Sequence, residues 1–260
     1  MATTTITPCL KNTEDLINNN VKTLSAAGSN FPLGASLAIN TFLIDTTAGA
    51  GGEITGFRSN VFPSFGLRQM DEISEKGGTD EFTLGFAGNY GDKLYIGASL
   101  NVPSIHYERN RTYTEGDISN GSANNDVGFS YWTLTDRLKT DAVGFNAKLG
   151  LIYSPNGALR LGASFHTPTW YNMKDASTAE IFVDSETFDP DGTGTQRFQN
   201  TTDLTDGYPV EYEYNLRTPL ERAGERLLHH RRQLFRRETA TRFHHRRCGI
   251  HRLRRHEIQV

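Results

Sequence analysis

Cysteine is nearly missing from this chain of 260 residues; Cys9 and Cys248 are the two it has. Two thiols build no disulfide framework and no metal-ligand set. No run of eighteen apolar residues occurs, so no membrane-spanning helix is expected. That absence leaves a membrane β-barrel open, because its strands alternate and hydropathy barely registers them. The start, Met1-Ala2-Thr3-Thr4-Thr5-Ile6, has no basic stretch leading into an apolar one, so no signal peptide is visible. No apolar run precedes Cys9, and no lipid anchor is expected there. A catalytic set is missing too. Gly49-Ala50-Gly51-Gly52 is followed by no Lys-Ser/Thr and no helix pattern, which argues against a phosphate loop. Ser, His and Asp occur without a nucleophile elbow. The expectation is a protein with no enzymatic activity and no cofactor.

Lysine is absent from Glu221 to Val260, although that stretch holds twelve Arg and six of the eight His. The net charge of −3 hides this split. Residues 1–220 carry fifteen Lys and Arg against twenty-six Asp and Glu, a balance of −11, and residues 221–260 a balance of +8. Segments such as His229-His230-Arg231-Arg232 show neither helix nor strand period. A codon-permitted reading one nucleotide later, from Gly224 onward, turns the segment into two alternating β patterns. We therefore expect 221–260 to be an out-of-frame, unstructured tail. The other reading is a basic tail for nucleic acid or acidic lipid. Phe235 and Phe243 are its only base-stacking aromatics, which weakens a nucleic-acid role.

What remains is acidic, rich in Gly, Asn, Thr and Ser, and aromatic, a composition suited to an all-β protein. Residues 1–34 read as an irregular or short helical segment. Thr13 would cap a helix over Asn12–Leu24 with Leu16, Ile17, Val21 and Leu24 as its stripe. From residue 35 the period becomes two. Ala35–Ile44 reads as a strand. Phe82, Leu84, Phe86 and Tyr90 share a face opposite Thr83, Gly85, Ala87 and Asn89. Gly91-Asp92 closes a tight hairpin. The return strand puts Leu94, Ile96, Ala98, Leu100 and Val102 opposite Tyr95, Gly97, Ser99 and Asn101. Glu108–Arg137 reads as a long polar loop. Val143, Phe145, Leu149, Leu151 and Tyr153 then alternate with Gly144, Asn146, Lys148 and Gly150. A turn at Pro155-Asn156-Gly157 leads to Leu161, Ala163 and Phe165, alternating with Arg160, Gly162, Ser164 and His166. Thr178–Val183 and Val210–Leu216 are further strands around a second polar loop, Asp184–Gly207.

Short turns alternate with long loops, and lipid-compatible side chains alternate with small or polar ones. That is the pattern of an outer-membrane barrel. The expected architecture is a partial antiparallel transmembrane β-barrel over residues 35–220, with about seven strands. Tyr90, Tyr153, Trp170 and Tyr171 are the candidate membrane-interface aromatics. The alternative is a soluble β-sandwich used for surface binding or adhesion, with one face in a core and one in water.

Three stretches resemble one family when taken in order: Glu75–Glu81, the hairpin Phe86–Leu100, and Phe165-His166-Thr167-Pro168-Thr169-Trp170-Tyr171. Tyr214–Pro219 is similar to its next strand. The family is that of the outer-membrane hydrophobic-compound transporters typified by the long-chain fatty acid channel FadL, in its Bacteroidetes form. The resemblance implies a bacterial outer-membrane location and a barrel with an N-terminal plug. Its partners would be outer-membrane lipid and hydrophobic small molecules, such as fatty acids or aromatic hydrocarbons. Solute would pass passively through the lumen to an opening in the wall. The chain departs from that pattern in its start, in lacking the family's plug signature, and in lacking later strands. A fragment that cannot close a barrel from one copy is therefore expected, since open strand edges in lipid leave backbone groups unsatisfied.

Lys148, Arg160 and His166 fall on the inward face and are the ligand-path candidates. A cationic side chain there could meet a carboxylate head or pair with a lumen acid. Asp189-Pro190-Asp191-Gly192-Thr193-Gly194-Thr195 has some character of a calcium loop but lacks the later bidentate acid, so a solvated loop is expected. No metal site is expected.

Overall fold

A computed structural model describes residues 15–50, 54–61, 66–118, 129–156, 159–228 and 250–259, the last stretch and 225–228 in their backbone alone. The chain is mostly antiparallel β-sheet. Its N-terminal part has helix α1 (Leu24–Asn30), helix α2 (Ala35–Asn40), and a hairpin of β1 (Ile44–Ala48) with β2 (Ile54–Ser59). A nine-stranded sheet follows. It is built from β3 (Leu67–Tyr90), β4 (Leu94–Asp117), β5 (Tyr131–Asn156), β6 (Leu159–His166), β7 (Trp170–Asp184), β8 (Gln196–Asn200), β9 (Val210–Arg217), β10 (Glu221–Leu228) and β11 (Ile250–Gln259).

The sheet is a meander of long strands. β3 pairs β4 along their whole length, and β4 pairs β5. β6 and β7 both pair β5 and behave as one strand interrupted at Thr167–Thr169. Pro168 has no N–H to give a ladder. The Thr167 hydroxyl instead accepts from the Ala147 amide at 2.9 Å. β9 and β10 repeat the device beside them, broken around Pro219, where the Thr218 hydroxyl accepts from the Thr169 amide at 2.8 Å. Six of the seven expected strands lie in this sheet, in β3–β7 and β9; Ala35–Ile44 does not, and β8, β10 and β11 bring the number to nine. Among the described residues, no pairing joins the β9/β10 edge to the β11 edge, so the sheet is open.

Tight turns and long connections alternate as expected. Gly91 and Asp92 take positive φ (59° and 53°) in a tight turn that the Lys93 amide closes on the Tyr90 carbonyl at 3.2 Å. The polar loop expected over Glu108–Arg137 is shorter than that: β4 runs to Asp117 and β5 starts at Tyr131. Alternation is invisible there because ion pairs hold both faces. Arg111 donates to Asp71 at 2.8 Å, Arg109 to Asp136 at 2.9 Å, and Lys76 sits 2.6 Å from Glu108.

Two N-terminal expectations are corrected. The segment 35–40 is helix α2, not strand; Ala35, Ser36, Leu37, Ala38 and Ile39 are all buried, and a run buried on every side carries no period. Of the helix expected over Asn12–Leu24, the described residues hold helical backbone at 15–18, which ends before Asn20 at φ 52°. Helix α1 begins beyond it, with the Thr23 hydroxyl accepting from the Ala26 amide at 3.1 Å; Thr13 lies outside the described residues. The tail is corrected in part: Glu221–Leu228 pairs β6 and Ile250–Gln259 pairs β3. A sheet edge offers unpaired N–H and C=O groups to any extended backbone within reach, whatever its side-chain period.

Candidate functional site

Directly paired residues of neighbouring strands point to the same side of a sheet, and the next pair points to the other. The registers therefore sort this sheet into two faces. On the first, Tyr90, Leu94, Tyr153 and Leu161 share a row at the tight-turn end. Eight residues along, Phe82, Val102, Phe145 and Trp170 share another. Phe86, Ala98, Leu149 and Phe165 form the row midway between. Nothing covers this band among the described residues: Phe82 is 71% exposed, Phe86 72% and Tyr90 82%. Eight steps at about 3.4 Å make it roughly 27 Å long along the strands.

The same face then changes abruptly. His106 is opposite Asp141, and Lys174 follows in the same row. Lys174 pairs with Glu211 at 2.8 Å and Lys139 with Asp141 at 3.2 Å. The 2.6 Å hydrogen bond to Asp141 holds the His106 imidazole above its ordinary range, against a smaller desolvation effect.

The second face is polar at the very height where the first is greasy. Thr83 donates to Asn101 at 2.9 Å, Asn101 to Asn146 at 2.8 Å, and Asn146 to Thr169 at 2.9 Å. Asn101 is 0% exposed. Toward the tight turns, Ala87, Gly97, Gly150 and Ser164 make a row almost without side chains. With Tyr95 and Ile152 they line a groove of about 630 Å³. Next to it a polar pocket of about 290 Å³ is lined by Glu81, Lys148, His166, Tyr171 and Glu221.

The three ligand-path candidates separate here. Lys148 and His166 meet in the polar pocket, where Lys148 donates to Glu81 at 2.9 Å and His166 Nδ1 lies 3.7 Å from Glu221. Arg160 is exposed near the start of β6 and lines no described pocket with them. The four interface aromatics separate as well. Tyr90 and Tyr153 share the tight-turn row and Trp170 the opposite one. Tyr171 is corrected to the second face: neighbours along a strand point oppositely, and its ring lies over Gly144, where an added Cβ would come within 2.6 Å of Cδ1.

Where the long loops emerge, the second face is covered by the N-terminal segment. Leu16, Val21, Leu37, Leu43 and Ile44 pack with Trp132, Ile181 and Val183 in one buried cluster. At its base lies Glu115, fully buried, accepting from Gln69 at 2.7 Å, Trp132 at 2.9 Å and Tyr113 at 3.2 Å. Burial raises its pKa; the three hydrogen bonds oppose that without cancelling it. The stretch with calcium-loop character is occupied from within the chain. Arg197 donates to Asp189 at 3.0 Å and Asp191 at 2.8 Å, and stacks on Phe42 at 4.9 Å. Hydrogen bonds from Thr193 and then Arg197 hold Asp191 at about 2.

Sequence reasoning missed Glu81, Glu115, Arg197 and the Asn101–Asn146 ladder. The ladder had a legible signal, Asn at matched polar positions of two adjacent strands. Glu81 and Glu115 are paired across long sequence separations that alternation does not reveal, whereas Arg197 reaches back only eight and six residues, to Asp189 and Asp191. The chain matches no family model, and no curated protein matches it.

Proposed function

We propose that this chain forms part of the wall of an outer-membrane β-barrel that lets hydrophobic compounds, of the long-chain fatty acid or aromatic hydrocarbon kind, pass passively along its inner face. One observation carries the reading. The sheet is inside out relative to a water-soluble one: Asn101 is buried in a hydrogen-bonded ladder while Phe82 and Phe86 stand bare on the opposite side. A contiguous apolar surface of this kind needs a partner, and lipid tails suit a band bounded by aromatic rows. The roughly 27 Å length, reduced by strand tilt, is close to the apolar band of about 25 Å found on such barrels. The groove and polar pocket on the other face supply a solute's path. The family resemblance supports the same reading.

Tryptophan fluorescence provides a test, because the chain has two Trp. Replacing Trp132→Phe leaves Trp170 as the reporter. In vesicles carrying brominated acyl chains, its emission is expected to be blue-shifted and strongly quenched. Emission insensitive to lipid bromine would remove the membrane reading, and a soluble sandwich formed by two copies burying their bands would give that result.

A further inference from the structure

We propose that Glu81 and Glu221 make the inner-face site select uncharged hydrophobic compounds over carboxylates. The inference rests on reading the inner face as the solute's path. The groove accepts an apolar body, since its central row consists of Ala87, Gly97, Gly150 and Ser164. Its polar end decides the head group. That end holds two carboxylates, Glu81 and Glu221, against one ammonium, Lys148, and the ammonium is 2.9 Å from Glu81. His166 adds a cation only when protonated, and then it faces Glu221 at 3.7 Å. With the imidazole neutral, an entering carboxylate meets a net charge of −1. To gain Lys148 it must displace Glu81 and leave that acid beside it. Like charges a few ångströms apart repel. A hydroxyl meets no such penalty, because Thr167 and Thr169 also line the pocket and a neutral group needs one hydrogen bond. Arg160 brings no second cation: it is six residues from His166 along β6, about 20 Å.

The test compares 1-dodecanol with dodecanoate, bound to the full chain in zwitterionic micelles at pH 8 and followed by the amide resonances of Gly97 and Gly150. After correction for partition into protein-free micelles, the alcohol is expected to bind at least about tenfold more tightly, a modest repulsion on the affinity scale. Glu81→Gln and, separately, Glu221→Gln are expected to shrink that ratio severalfold. Glu213→Gln, the same charge change on the opposite face, is expected to leave it unchanged. Equal or tighter binding of dodecanoate by the unaltered chain would overturn the proposal, as would a ratio indifferent to both variants. Shifts from neither probe would also overturn it. The Trp170 measurement stands apart, so a failed groove and a failed membrane reading give different results.

Discussion

Leu149→Arg perturbs the centre of the apolar band. Leu149 lies in the row midway between the Tyr90/Tyr153 row and the Phe82/Trp170 row, with Ala98 and Phe165 beside it. If lipid covers this face, the arginine sits near the bilayer midplane and costs about 2–4 kcal/mol. Tyr153→Arg places the same group four residues lower, at the interfacial row, where the cost falls to about 0–1 kcal/mol. Thr135→Arg lies on the same face of the same strand, far above the band and opposite Thr112 and Glu180. It should change stability by no more than about 0.5 kcal/mol. Reversible urea unfolding from lipid vesicles measures all three. The expected result is a cost that peaks at Leu149 and decays along the strand in both directions. A flat profile, or the same peak for protein kept in water without lipid, would refute the reasoning.

Asn101→Leu should destabilise the folded chain by about 1–3 kcal/mol for each partner it strands, because the Thr83 hydroxyl and the Asn146 side chain both lose their bond to it; unfolding midpoints no lower than the parent's would contradict the ladder. Gly144→Ala should cost about 1–3 kcal/mol through collision with the Tyr171 ring, and adding Tyr171→Ala should recover part of that loss, a coupling readable in a double-mutant cycle. Glu115 sets a pH dependence. Its folded pKa lies above its unfolded value, so the folded state holds more protons between the two. Its contribution is complete below the unfolded pKa of about 4.3 and is lost as pH rises through the folded value. Glu115→Gln should flatten that slope in urea titrations at successive pH values, and an unchanged slope would show that another group sets it.

The band was legible in the sequence because one face changes character at every second residue from Phe82 to Val102 and from Val143 to Phe165. The tight turns were legible for the same reason, since Gly91-Asp92 interrupts the alternation at the point where it reverses. Above the band the signal vanishes. Arg109, Arg111, Asp71 and Asp136 on one face, and Lys76 and Glu108 on the other, hold β3, β4 and β5 together by ion pairs, so both faces of 108–117 and 131–137 read as polar loop. Helix α2 was misread because Ala35–Ile39 is buried on every side. Trp170 and Tyr171 read alike in the sequence as aromatics near a strand end, although adjacent strand residues point to opposite faces of the sheet. The polar pocket was half legible: Lys148 and His166 sit on the alternating inward positions. Glu81, the acid that holds Lys148, is sixty-seven residues away in sequence, and no local pattern connects them.

Spin labels placed one at a time from Val143 to Tyr153 along β5 test the central claim most directly, with collision rates read against oxygen dissolved in lipid and a nickel chelate dissolved in water. The account predicts high oxygen access at Val143, Phe145, Leu149, Leu151 and Tyr153, low access at Asn146 and Lys148, and little chelate access on the first set. An alternation of opposite sign, or chelate reaching Phe145 and Leu149 freely in vesicles, would contradict it.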